Sequence, residues 1–201
     1  MCGRYSLTTP PEALRGLLDF DGPTPNLAAR YNIAPRQAVP VVRCEGTGER
    51  HLVMLRWGLV PYWAKDEGIG DRLINARSET AAEKPSFRRA METRRCLIPV
   101  DGFYEWKAAG KLKQPYRIEL DGRRPFAFAG LWERWEKGAG GSLETCAILT
   151  TEANDRLRAI HHRMPVILDP AAYGAWLDVE ARDPRAVAPL LRRREVDGLV
   201  T

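Results

Sequence analysis

Short runs of β-forming residues recur along the whole chain, and no helical period between them lasts much beyond a dozen residues. The runs AVPVVRC (38–44), HLVMLRW (51–57), RCLIPV (95–100), PYRIEL (115–120), PFAFAGL (125–131), TCAILT (145–150) and MPVIL (164–168) are rich in β-branched and aromatic side chains, which suit a pleated, half-buried surface. EGTGER between the first two predicts a hairpin. Pro40, which has no N–H for a ladder, places the first run at a sheet edge. Asp121 and Gly122 predict a hairpin turn between PYRIEL and PFAFAGL.

The helices these runs leave room for are short. TTPPEALRGLLDF carries Thr9 and Glu12 at capping-box spacing, with Leu14, Leu17 and Leu18 on one face. Further helices are expected over 78–92 and 152–160. DPAAYGAWL and DPRAVAPLLRRR each begin with an Asp cap and a Pro at the first helical position. Together they predict an α+β fold, a mostly antiparallel sheet or open β-barrel decorated with short helices, in one domain over 1–201.

Several function classes lose their support at this level. Pro10, Pro11, Glu12 and Arg15 break the first twenty residues, so no secretory core or membrane span is expected. The expected location is the cytoplasm, at the nucleoid in a bacterium or in the nucleus of a eukaryote. Cys2, Cys44, Cys96 and Cys146 lie more than forty residues apart, without a C-x-x-C pair, which argues against a disulfide framework and structural zinc. No Walker, Rossmann, H-E-x-x-H or G-x-S-x-G pattern occurs. No cofactor and no metal are expected. The net charge is +5, and arginines cluster in FRRAMETRR (87–95) and LLRRR (190–194). Such clusters suit a polyanionic partner, although each alone is equally the solvated face of a helix.

Candidate chemistry begins at MCGRY. A residue as small as cysteine behind the initiator permits removal of Met1, and Cys2 then carries an α-amine and a thiol together. Their reference pKa values, about 7.7–8.0 and 8.5, leave a useful nucleophilic fraction of each at neutral pH. With an aldehyde the pair closes a thiazolidine ring. The alternative is that Cys2 is simply a small buried residue. Glu105, between Tyr104 and Trp106, is either an acid and base with a raised pKa or, if it shares the solvent face with Phe103, merely exposed. His161 and His162 lie in a loop where a histidine exchanges protons or caps a helix end. Asn75 and Arg77 precede Ser78, an expected N-cap, in a long irregular stretch from Pro61 to Arg77 of the kind often used for function.

MCGRY, YNIAPRQ (31–37), WGLVPYW (57–63), INARSET (74–80), RCLIPVDGFYEWK (95–107) and HHRMPVIL (161–168), in this order, resemble the SRAP family, the SOS response-associated peptidase or abasic-site processing proteins. The resemblance implies an SRAP-like fold and a DNA-damage protein. Its Cys2 forms a thiazolidine DNA-protein crosslink with the ring-opened aldehyde of an abasic site in single-stranded DNA. It further implies that Asn75 holds the sugar and the Cys2 amine, that Glu105 moves protons, and that His161 protonates the sugar oxygen as the ring opens. Arg4, Arg77 and Arg163 would contact phosphates, with Asn75 and Thr150 also at the DNA, and Trp63 would stack on a base. The partner implied is abasic single-stranded DNA, and the protein is expected to be a monomer.

Two departures accompany the resemblance. Ala64 stands where several members carry an aromatic, which argues against the duplex-junction wedge they use, and the chain ends at VDGLVT without the usual closing PVS segment. Two other classes compete with the leading one. Cys2 with His161 is also the outline of an N-terminal-nucleophile peptidase, including self-removal of Met1, and the arginines with Trp63 alone would make a non-covalent single-stranded DNA-binding module.

Overall fold

The computed structural model describes residues 2–46, 48–110, 112–138 and 141–201. Strand β1 (Arg4–Leu7) is followed by helix α1 (Pro11–Leu18), β2 (Arg30–Ile33), β3 (Ala38–Glu45) and β4 (Glu49–Trp57). After a 3-10 turn over Glu67–Arg72 come β5 (Asn75–Arg77), α2 (Arg88–Thr93), β6 (Arg95–Val100), β7 (Gly102–Ala109), β8 (Leu112–Leu120), β9 (Phe126–Gly138) and β10 (Gly141–Glu152). The order closes with α3 (Asp155–Arg158), β11 (Arg163–Pro165), β12 (Ile167–Leu168), α4 (Tyr173–Leu177), α5 (Pro184–Val187) and β13 (Leu199–Val200). The architecture is α+β, as expected.

Five strands close a small barrel in the order β10, β4, β3, β6, β9 and back to β10. Its pairings are antiparallel except where Thr145 and Cys146 run parallel to Arg56 and Trp57. Closure removes the open edges that a sheet of this size would otherwise present. A second, antiparallel sheet in the order β13, β8, β7, β1, β2 lies against it. The seam between them is aromatic. Tyr5 of β1 meets Trp57 at 5.3 Å between ring centroids and Phe128 at 6.3 Å, while Phe103 of β7 meets Phe128 at 5.6 Å. Edge-on contacts of this kind add to the area that the rings bury.

A buried carboxylate fixes β1 beside β7. Asp101 accepts from the Thr8 amide, from the Thr8 hydroxyl at 2.6 Å and from the Thr9 hydroxyl, while its own N–H donates to Ser6. Three donors on one carboxylate make a strong tie between chain segments far apart in sequence. It sets the register in which Arg4 faces Tyr104.

Several local expectations are corrected. The Thr9 hydroxyl goes to Asp101, so the predicted capping box does not form and α1 starts from Pro10. β3 lies between β4 and β6, so Pro40 is not on a sheet edge. It sits instead outside the short pairing with β6 at Val42 and Arg43. Asp121 and Gly122 form a turn, with Gly122 at φ 64°, but β8 and β9 belong to different sheets and make no hairpin. The expected helix over 78–92 is mostly turns and only Arg88–Thr93 is helical, so Ser78 caps no helix. MPVIL divides at Val166, whose N–H donates to Leu149 while its carbonyl accepts from Ala129, so the run stitches β10 to β9. Asp169 and Asp183 do cap the last helical segments, accepting from Ala171 and Arg185 at 3.0 and 2.9 Å. Among the described residues no helix is long and apolar enough to cross a membrane, and no cluster of His, Cys, Asp and Glu could hold a metal ion.

Candidate functional site

Cys2 sits just ahead of β1 and is completely buried. Burial, and then the charge of Glu105, push its thiol far above the ordinary value. The expectation of a useful thiolate fraction at neutral pH is therefore corrected, because a thiolate without solvent beside a carboxylate is disfavoured twice. Met1, whose removal the chemistry requires, lies outside the described residues.

Asn75 is delivered by β5, which pairs in parallel with β10 so that Asn75 faces Ile148 and Arg77 faces Thr150. Its Nδ2 donates to the Cys2 carbonyl at 2.9 Å. The Oδ1 on the same amide is buried with no donor among the described residues. A buried, unmatched acceptor costs free energy, and it belongs to the amide that holds the Cys2 carbonyl.

Glu105 projects from the inner face of β7 and is 3% exposed. The solvent-face alternative is excluded, since Phe103 and Glu105 are both buried. Burial raises the Glu105 carboxyl above the usual range, with His162 among the charges that counter this. The charge of Glu105 is thus felt by the Cys2 thiol, and that of His162 by Glu105.

His161 follows α3, its N–H bonded to Leu157. The Arg163 amide donates to its Nδ1 at 3.0 Å. The Arg163 carbonyl oxygen lies 3.1 Å from the same Nδ1, so the ring tautomer decides whether Nδ1 accepts from the amide or donates to the carbonyl. Burial lowers the His161 pKa. His162 stacks on it at 4.4 Å, and its own pKa falls chiefly because of that neighbour.

The expected DNA contacts divide into two groups. Arg4 reaches Asn32 at 2.9 Å. Arg77 is exposed and lines a cleft of about 460 Å3 with Arg158 and His162. Trp63 and Tyr62 are exposed, with the Arg89 guanidinium 4.6 Å over the Tyr62 ring. Ala64 instead packs inward with Val60 and Trp135, whose indole donates to the Ala64 carbonyl at 2.9 Å. That position offers no wedge.

Of the other two residues expected at the DNA, Thr150 lies behind the surface, whereas Arg163 lines the same cleft as Arg77. Thr150 is fully buried. Arg163 is buried and its fork grips Glu79 at 2.7 and 2.9 Å, with a further bond to the Thr150 carbonyl at 2.6 Å. Glu79 is the residue that sequence reasoning passed over. It stands inside a quoted run, INARSET, but no local pattern says which carboxylate an arginine 84 positions away will choose.

The SOS response associated peptidase (SRAP) family matches residues 1–200. Abasic site processing protein YoqW of Bacillus subtilis (strain 168) is 43% identical over 202 residues, 99% of this chain and 90% of that protein. Abasic site processing protein HMCES of Gallus gallus is 34% identical over 196 residues, 82% of this chain and 58% of that protein. Among solved structures, a protein from Bacteroides thetaiotaomicron is similar at a TM-score of 0.89 and 27% identity, covering 99% of this chain and 90% of its own. Matched in sequence and fold over nearly its whole length, the chain belongs to the SRAP family.

Proposed function

We propose that the protein captures abasic sites in single-stranded DNA as a covalent thiazolidine, through a Cys2 whose amine is freed by loss of Met1. The observation that carries this reading is the Asn75 amide, which holds the Cys2 carbonyl with one end and presents a buried, unmatched oxygen with the other. That oxygen suits an amine N–H. The names of the relatives, abasic site processing proteins, support the same substrate.

The abasic sugar is a closed hemiacetal. His161 gives a proton to the ring oxygen as that bond breaks, and loss of the anomeric hydroxyl proton leaves the aldehyde, so opening changes no atom count. The Cys2 amine adds to the carbonyl carbon, and water leaves through Glu105 to give the imine. The thiol then adds across the C=N bond, sulfur to carbon and proton to nitrogen, so the whole sequence loses one water. A thiol held un-ionised waits for the imine rather than reacting first, unlike the thiolate that a cysteine peptidase requires. Arg4 and Arg77 bind phosphates and Trp63 stacks on a base. Thr150 acts from behind, and Arg163 braces β5 and the His161 loop from within the Arg77 cleft.

The test is denaturing electrophoresis with intact mass, on protein confirmed to begin at Cys2 and single-stranded DNA bearing one abasic site. A denaturation-resistant species of summed mass less one water, absent with Cys2→Ala and with undamaged DNA, is expected. No such species would refute the proposal.

A further inference from the structure

Glu79 has no step in the chemistry above, yet it ties together the segments that carry Asn75 and His161. It stands two residues beyond β5, whose first residue is Asn75, and the intervening Ser78 is pinned by its N–H to the Thr150 carbonyl at 2.8 Å. Both Glu79 oxygens accept from the Arg163 fork, at 2.7 and 2.9 Å. The same guanidinium donates to the Thr150 carbonyl at 2.6 Å and to the Thr150 hydroxyl at 3.2 Å. Ser78 and Arg163 therefore meet on one residue of β10, and the Glu79 carboxylate closes the circuit between them.

At its main chain, Arg163 holds His161. Its amide nitrogen lies 3.0 Å and its carbonyl oxygen 3.1 Å from Nδ1, so either tautomer of the ring finds a partner there. The His161 N–H is fixed to Leu157 of α3 at 2.9 Å, and the His162 carbonyl accepts from Ala153, just beyond β10, at 3.0 Å. With the loop anchored at these points, the direction of the imidazole follows from where Arg163 places its peptide groups.

We propose that Glu79 is a positioning residue for the opening of the sugar ring, holding Arg163, and through it the His161 imidazole, in place relative to β5 and its Asn75. The proposal rests on the covalent-capture reading and deepens it. A carboxylate suits this place because a two-bond fork fixes a guanidinium in direction as well as distance, which a single bond does not. A proton donor displaced by about 1 Å loses rate steeply. The Glu79 side chain is 45% exposed, so its substitution leaves a folded protein to measure.

The test compares two substrates in single turnovers at saturating protein. One is single-stranded DNA with a true abasic site. The other carries at the same position an acyclic linker ending in an aldehyde, which has no hydroxyl to close a ring and so needs no opening. Glu79→Gln keeps one acceptor for the fork but turns an amide N–H2 toward the other guanidinium nitrogen. It is expected to slow capture of the abasic site on the order of tenfold and capture of the acyclic aldehyde by less than about twofold. It should add nothing in a His161→Gln background, and Glu79→Asp, which keeps the charge and both oxygens, should recover part of the rate. A brace serving the fold alone would slow both substrates alike, or add its loss to that of His161→Gln, and either result overturns the proposal. The 15N shifts of the His161 ring, read by NMR in parent and Glu79→Gln at one pH, need no crosslink. A changed Nδ1 shift is expected, and an unchanged one overturns the proposal. Failure of the parent to crosslink either substrate refutes covalent capture, and the imidazole shift then decides by itself whether Glu79 orients His161.

Discussion

The Asn75 side chain donates through Nδ2 to the backbone carbonyl of Cys2 at 2.9 Å, while its buried Oδ1 meets no donor among the described residues. One amide thus fixes the main chain of the nucleophile and keeps a buried acceptor unmatched. Asn75→Ala loses both functions, and crosslinking under single-turnover conditions is expected to slow on the order of a hundredfold, the scale on which misplaced reactants lose rate. Asn75→Asp cannot donate to the Cys2 carbonyl and holds the Cys2 amine as ammonium, so it is expected to be slow as well. Gel time courses with both variants check this, and an Asn75→Ala rate within twofold of the parent would remove the role.

Glu79 is expected to matter through Arg163, which it holds by two parallel hydrogen bonds. Burial opposes the charge of Glu79, but the Arg163 fork outweighs it and holds the carboxyl below the usual range. Glu79→Gln leaves a buried guanidinium short of its counter-charge. Because Glu79 itself is about half exposed, the expected cost is on the order of 1–2 kcal/mol, below that of a fully buried pair. A depressed carboxylate pKa stabilises the fold above the unfolded value, about 4.3, and the benefit fades as pH falls through the folded value. Denaturant midpoints of parent and variant should therefore separate at neutral pH and converge below roughly pH 4.

The sequence made the pieces legible more readily than their assembly. β3 and β4 pair as expected because EGTGER is a local signal, and the Asp caps at 169 and 183 need only their own helices. Cys2, Asn75, Glu105 and His161 are short-motif residues, and of these Asn75 bonds directly to Cys2 while the charge of Glu105 acts on its thiol. What failed depended on distant partners. Asp121 and Gly122 state that the chain turns but not which sheet the next strand joins. Thr9 has the spacing of a helix cap, yet Asp101, 92 residues later, takes its hydroxyl. The parallel contact that closes the barrel joins Arg56 to Thr145, and Thr150 is flanked by β5 and β11, strands that no local signal places beside it.

Asp101 is expected to be a point of failure for the fold rather than for the chemistry. Asp101→Ala strips acceptors from the Thr8 amide and from the Thr8 and Thr9 hydroxyls at once. Hydrogen bonds to a charged group contribute about 1.5–3 kcal/mol each, non-additively, so a loss on the order of 3 kcal/mol is expected in urea unfolding. Asp101→Asn keeps the shape and should lose about half as much. A change below about 0.5 kcal/mol for Asp101→Ala, the range of an ordinary surface substitution, would show that β1 is held beside β7 by packing alone.

Glu105 and His161 are shifted toward one another, the carboxyl up and the imidazole down, each first by burial. His161 is a neutral donor above its lowered pKa, and Glu105 serves as base wherever its carboxyl is ionised. As pH falls below about 6.5, the parent acquires a stronger acid at His161, so the rate of His161→Gln relative to the parent is expected to fall. The deficit of Glu105→Gln behaves oppositely. It is largest where the carboxylate is ionised and disappears as pH falls through its raised pKa, above the 4.3 of an ordinary glutamate. Taking each variant as a ratio to the parent cancels the ionisation of the Cys2 amine, which all of them share. Stability supplies an independent check with its own sign. A raised carboxyl pKa favours the fold below the unfolded value, and that contribution is lost as pH rises through the folded value. Glu105→Gln should therefore melt higher than the parent at pH 7 and lose the advantage near pH 4, trading rate for stability at one position. Slower crosslinking without higher stability would mean that Glu105 is held as a paired carboxylate whose ionic partner offsets its burial, and the assignment of an elevated pKa would fall.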